Sequence, residues 1–89
     1  MLMFSLPRQA LPGFLMGKGI TVRINGVPRL LTFDAVARIV HFTDSSGPQA
    51  RKFLGATHTE EGDLVRIICA GADGSGTVVA PNAPGSITG

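Results

Sequence analysis

The sequence predicts an all-β (mainly β) single domain, a small barrel or sandwich with extended N- and C-terminal arms, and three observations carry that expectation. Short apolar segments of strand length recur at hairpin spacing between clusters of Gly, Pro, Asn, Asp and Ser. No segment sustains the 3.6-residue apolar period of a long helix. The 89 residues suffice for one core, since a chain this short buries only about 60–65% of the surface its unfolded form exposes. The expected layout is an apolar arm over residues 1–19, a β domain over 20–80 and an extended arm over 81–89.

In the first nineteen residues, Pro7, Pro12, Gly13, Gly17 and Gly19 interrupt every regular period, which predicts an arm lying across this domain or a neighbour. Ile20-Thr21-Val22-Arg23-Ile24 alternates apolar and polar residues and predicts a half-buried strand. Asn25-Gly26 tolerates the two positive φ angles of a type I′ turn, so Val27 to Phe33 should return as the partner strand. Pro28 has no N–H to donate, which places its strand at an edge or starts it just afterwards. Asp34 to Thr43 fits a helical stripe capped by Asp34 and also strand alternation; its β-branched content favours the strand. Asp44 to Pro48 reads as a loop, Ala50 to Thr59 as a strand broken at Gly55, and Glu60 to Asp63 as a turn. Leu64 to Ala70 is the most apolar strand and should be central. Gly71 to Gly76 turns the chain, and Thr77 to Ala80 is expected to close the set.

The run Glu61-Gly62-Asp63-Leu64-Val65-Arg66-Ile67 is similar to the Gly-Asp-x-Val turn-into-strand of many SH3-like and OB-like barrels. That resemblance covers seven residues and implies a barrel of that size, not a family.

Composition narrows the function classes. With 44% hydrophobic and 16% charged residues, the chain is too apolar for a disordered tail and less charged than the roughly 25% usual in soluble domains. Some of that apolar surface is therefore expected to face a partner. No stretch approaches the roughly 18 apolar residues of a membrane span. Met1-Leu2-Met3-Phe4 lacks a basic flank and Pro7-Arg8 follows closely, so a secretory signal is not expected and the origin is read as cytoplasmic. The single cysteine, Cys69, reads as a small buried hydrophobe in a reducing compartment. The net charge of +2 is unevenly placed: Arg8, Lys18, Arg23 and Arg29 all precede the first acid, Asp34.

The patterns that carry catalysis fail on inspection. Gly13-Phe14-Leu15-Met16-Gly17-Lys18-Gly19 has three spacers where a phosphate loop needs four, and no Ser or Thr after the lysine. Thr43-Asp44-Ser45-Ser46-Gly47 carries an extra serine relative to the Asp-Ser/Thr-Gly of aspartic proteases. His41, His58, Cys69, Glu60, Glu61 and Asp63 lack diagnostic metal spacing, nothing obvious activates Cys69, and Asp73-Gly74-Ser75-Gly76 lacks the first glycine of a nucleophile elbow. No catalytic, cofactor-binding or metal-ligating residue, small-molecule substrate or membrane partner is expected.

What remains is binding. The first expectation is a non-enzymatic structural or adaptor subunit, with neighbouring subunits contacted by Leu2, Phe4, Leu6, Leu11, Phe14 and Leu15 in the first arm and by Val79 and Ile87 near the second. Such a homo-oligomeric, arm-bearing subunit suits a repetitive assembly, by analogy of architecture a small bacteriophage virion protein: capsid decoration, head–tail connector or tail component. The alternative is a small nucleic-acid-binding barrel with Arg23, Arg29, Arg38 and Arg51 on one face.

Overall fold

The computed structural model describes residues 1–80 and 85–87. Strand β1 (Leu2–Pro7) opens the chain, followed by a 3-10 turn (Arg8–Ala10) and the short helix α1 (Leu11–Leu15). Then come β2 (Ile20–Ile24), β3 (Val27–Asp34), β4 (Ile39–Asp44), β5 (Gly47–His58), β6 (Leu64–Cys69) and the two-residue β7 (Ser86–Ile87). Every pairing is antiparallel, in the spatial order β1-β6-β5-β4-β3-β2, and the sheet curls until its two end strands nearly meet as a barrel. β7 lies off this path, against β5.

The β2–β3 hairpin is as the alternation requires. Asn25 (φ 52) and Gly26 (φ 79) occupy the two left-handed turn positions, and Ile24 faces Val27 across them. Pro28 sits in the first half of β3, ahead of Thr32 where the ladder to β4 begins, so its missing donor interrupts no ladder on that side. Between β3 and β4 the chain makes a tight turn over residues 35–38. Asp34 Oδ1 accepts the N–H groups of Val36 and Ala37 at 3.0 Å each, and Asp34 O accepts that of Arg38 at 2.7 Å. Asp34 therefore caps a turn, and of the ambiguous 34–43 segment only Ile39 onward is the predicted strand. The next loop is shorter than expected: Asp44 and Gly47 pair directly around Ser45-Ser46, with Asp44 Oδ1 accepting the Ser46 N–H at 2.8 Å.

β5 changes partners along its length. Gly47–Lys52 pairs with β4, and from Phe53 onward the strand pairs with β6. At the change, Leu54 is an extra residue between the Phe53–Cys69 and Gly55–Ile68 pairs, a bulge that buries the consecutive side chains Phe53 and Leu54. Gly55 takes φ 145 there, and a Cβ at that position would lie 2.7 Å from Val79 Cβ.

The core is filled by the inward residues of every strand and by α1. Leu6, Leu31, Val40, Val65, Ile67 and Cys69 are fully enclosed. Ring contacts link Phe14 to Phe33 (5.7 Å) and Phe33 to Phe53 (5.0 Å), and Phe4 meets Phe42 edge-on at 5.2 Å. β6 is an interior strand beside the end strand β1, with β5 on its other side, and its apolar run fits that flanked position.

Two expectations about the ends need correcting. Residues 1–19 are not an arm: β1 pairs with β6 over its whole length, and α1 seats Leu11 and Phe14 in the core. The physical reason is that Leu2, Phe4 and Leu6 alternate inward against Cys69, Ile67 and Val65, satisfying the free edge of β6. Thr77–Ala80 forms no strand; its hydrogen bond to the barrel runs from the Val79 N–H to Leu54 O at 2.8 Å. Of the expected second arm, residues 81–84 and 88–89 lie outside the described residues, while Ser86–Ile87 pairs with Ala56–Thr57.

Candidate functional site

The eight residues proposed for partner contact divide sharply. Phe4, Leu6, Leu11 and Phe14 are buried in this chain's own core, which removes them as contact residues. Leu2, Leu15 and Ile87 pack against that core half-buried, and Val79 is half-buried beside Gly55. The exposed large apolar side chains are instead Met1, Met3, Met16, Val27, Leu30, Val36 and Val78. Met3 and Leu30 were missed because each sits beside a better core candidate in its strand, and only the register shows which of two apolar neighbours points outward.

The four arginines are not gathered on one face. Arg23 lies opposite Pro28 on the outward side of the hairpin and donates from Nη1 to Gly26 O at 2.8 Å. Arg29 lies opposite Val22 on the inward side, half-buried, with an enclosed Nε that has no hydrogen-bond partner among the described residues. Arg51 is opposite buried Val40, and its guanidinium lies 5.8 Å from the Phe42 ring centre. Arg38 is in the turn before β4, 5.2 Å over Phe53. All five phenylalanines are buried, so none offers a base-stacking platform.

Two surface features remain. The first is the seam where the barrel fails to close, a groove of about 450 Å³ between Met3–Pro7 of β1 and Ile20–Arg23 of β2. Both strands end the sheet, so each turns a row of backbone groups toward this gap. Met3 on β1 is 50% exposed, and Leu30, opposite Thr21 of β2, is 60% exposed.

The second is an apolar cavity of about 450 Å³ where α1, the β5 bulge and the C-terminal segment converge. Leu15, Phe33, Phe53, Leu54, Val79 and Ile87 form most of its wall, and Arg38 contributes the one charged side chain. Arg38 is held from both backbone sides: its N–H donates to Asp34 O at 2.7 Å and its carbonyl accepts the Phe53 N–H at 2.9 Å. Its φ of 58 lies in the left-handed region, where a side chain costs about 1–2 kcal/mol and Gly or Asn is the usual occupant. Among the described residues no carboxylate lies in ion-pair contact with it.

The potential catalytic groups are placed unremarkably. Burial pushes the Cys69 thiol up to about 11, with Arg51 pulling weakly the other way, so the sulfur is a poor nucleophile at neutral pH. Asp44 caps its hairpin and accepts from Gln49 Nε2 at 3.3 Å. His41 and His58 are exposed on β4 and β5, and among the described residues no three of His, Cys, Asp and Glu gather as a metal site. Comparison of the chain with protein-family models, curated proteins and solved structures gives no match in any of the three.

Proposed function

We infer that the protein is a non-enzymatic structural or adaptor subunit that engages other protein subunits along its open seam. The observation that carries this reading is the pair of unpaired sheet edges, β1 and β2, with Met3 and Leu30 exposed on or beside them. An edge strand that is left uncovered is a template for a strand or apolar surface of another chain. Arg23 and Pro7 are the features that restrain promiscuous pairing there. The contact surface is thus moved from the arms that the sequence suggested to the strand margins. A bacteriophage virion component is the narrower form of this reading; it rests on architecture alone and adds the expectation of a closed ring or larger symmetric particle.

Light scattering of the purified protein at low and high salt tests the reading, with concentration taken from refractive index because Trp and Tyr are absent. A protein-only species several times the 9.2 kDa chain mass, reduced to monomer by Met3→Lys or Leu30→Lys with circular dichroism unchanged, is expected. A monomer at every concentration that takes up nucleic acid at low salt and sheds it at high salt would favour the nucleic-acid alternative. A monomer that binds neither would overturn both.

A further inference from the structure

We propose that the cavity at the β5 bulge binds an aliphatic monocarboxylate of medium chain length, with its tail among Phe33, Phe53, Val79 and Ile87 and its carboxylate on Arg38. This goes beyond the subunit reading, uses a different face of the barrel, and departs from the expectation that the chain takes no small molecule.

Three properties of the cavity select that chemistry. Its volume of about 450 Å³ lies within the roughly 300–1,000 Å³ of small-molecule sites, which are apolar with a few placed polar groups. At about 30 Å³ for each water-sized unit of liquid, it has room for a chain of about ten carbons with its head group. The wall carries one charged side chain, the cation Arg38. Arg38 is exposed, so water solvates it when no ligand is bound; a cationic ligand would be repelled by it, and only an anionic head gains charge-assisted hydrogen bonds from it.

The backbone along β5 argues against a peptide as the occupant. A bound peptide needs free main-chain donors and acceptors beside its side-chain pockets. On the β5 side of the wall these groups are already engaged: Leu54 O accepts from the Val79 N–H, the His58 N–H donates to Gly85 O, and Ala56–Thr57 pairs with Ser86–Ile87. Arg38 spends both of its own backbone groups on Asp34 and Phe53. A ligand with one polar end and no amides is what such a wall accommodates.

The backbone of Arg38 gives independent support. A long side chain is kept in a left-handed conformation where glycine would be unstrained, and its guanidinium is steadied over the Phe53 ring at 5.2 Å. Local strain of this kind is common where a side chain is aimed at a ligand.

The test is titration of the full chain with decanoate, decanol and decyltrimethylammonium, each below its aggregation limit, followed by calorimetry and by amide NMR shifts. Saturable one-to-one decanoate binding is expected, with shifts centred on Phe33, Arg38, Phe53 and Ile87, and with decanol at least about tenfold weaker, since a charge-assisted bond contributes about that factor. Arg38→Gln should lower decanoate affinity to that of decanol and leave decanol unchanged. Val78→Glu, at an exposed rim position, should weaken decanoate alone. Equal affinity for all three amphiphiles, shifts centred elsewhere, or no saturable decanoate binding would overturn the proposal. So would tighter binding of an apolar peptide bearing the same carboxylate. If either variant fails to fold, the three-ligand comparison on the unaltered protein still decides.

Discussion

The two ends of this chain are both apolar and punctuated by Gly and Pro, yet they are joined to the barrel in different ways. Residues 2–15 supply a six-pair ladder to β6 and four buried side chains, Phe4, Leu6, Leu11 and Phe14. The described part of the other end, 77–80 and 85–87, supplies the Val79–Leu54 and His58–Gly85 hydrogen bonds, a two-pair ladder and half-buried Val79 and Ile87. The first end is wall and plug; the second is a strap laid beside β5 where β4 has left it. Whether a terminal segment is integral depends less on how apolar it is than on whether its inward residues match the register of a waiting strand edge.

The largest expected effect breaks this contrast or confirms it. Deletion of residues 1–16 should abolish folding, because each of the four buried side chains is worth about 2–5 kcal/mol on truncation and a whole domain has only about 5–15 kcal/mol to lose. Truncation after Gly76 should leave a cooperative, folded barrel, less stable by about 1–3 kcal/mol for the half-buried apolar surface removed. Circular dichroism melts of the two shortened chains decide the matter: equal loss of structure in both would erase the distinction between wall and strap.

A smaller perturbation locates the strap's attachment. Gly55→Ala should cost about 1–3 kcal/mol, since φ 145 is strained for alanine and the new Cβ meets Val79 Cβ at 2.7 Å. Gly26→Ala has positive φ but nothing within 4 Å, so it should cost only about 1 kcal/mol. Combining Gly55→Ala with Val79→Gly should recover the steric part; strictly additive losses in denaturant titrations would show that the strap does not bear on the bulge.

The smallest effect is electrostatic and sits in the loops at either end of β6. The Ser75 side chain, then its backbone N–H, holds the Asp73 carboxyl below its ordinary value, and Glu61 is lowered chiefly by its own backbone N–H and then by Thr59. A lowered folded-state value means stability that is fully present above the ordinary carboxylate value of about 4. It is lost as pH falls through the folded-state value. Thermal melts should therefore decline slightly below about pH 4, and the decline should flatten in the Asp73→Asn, Glu61→Gln double variant.

Much of the barrel was legible in the sequence, in places where chemistry is local. Asn25-Gly26 announced its turn, Gly55 its break, and the run from Leu64 a strand flanked on both sides. Less legible was β1, where Met3 fills an outward position with an apolar side chain and masks the alternation of Leu2, Phe4 and Leu6. The candidate sites were the least visible. The cavity joins α1, the turn at Arg38, the bulge and the strap, and the seam joins strands separated by a helix; neither is a pattern of neighbours along the chain. The arginines show the same limit, since Arg23 and Arg29 are close in sequence but stand on opposite sides of one hairpin.

The position of Cys69 has a practical consequence. With five Phe and no Trp or Tyr, the chain has no strong intrinsic fluorophore, but it has one thiol, fully enclosed and raised to about 11. A thiol so placed meets a labelling reagent only when the sheet around it parts, so its modification rate under native conditions is a stopwatch for opening of the barrel. Because Cys69 pairs with Leu2 on one side and Phe53 on the other, that stopwatch is set at the junction of the N-terminal strand and the bulge.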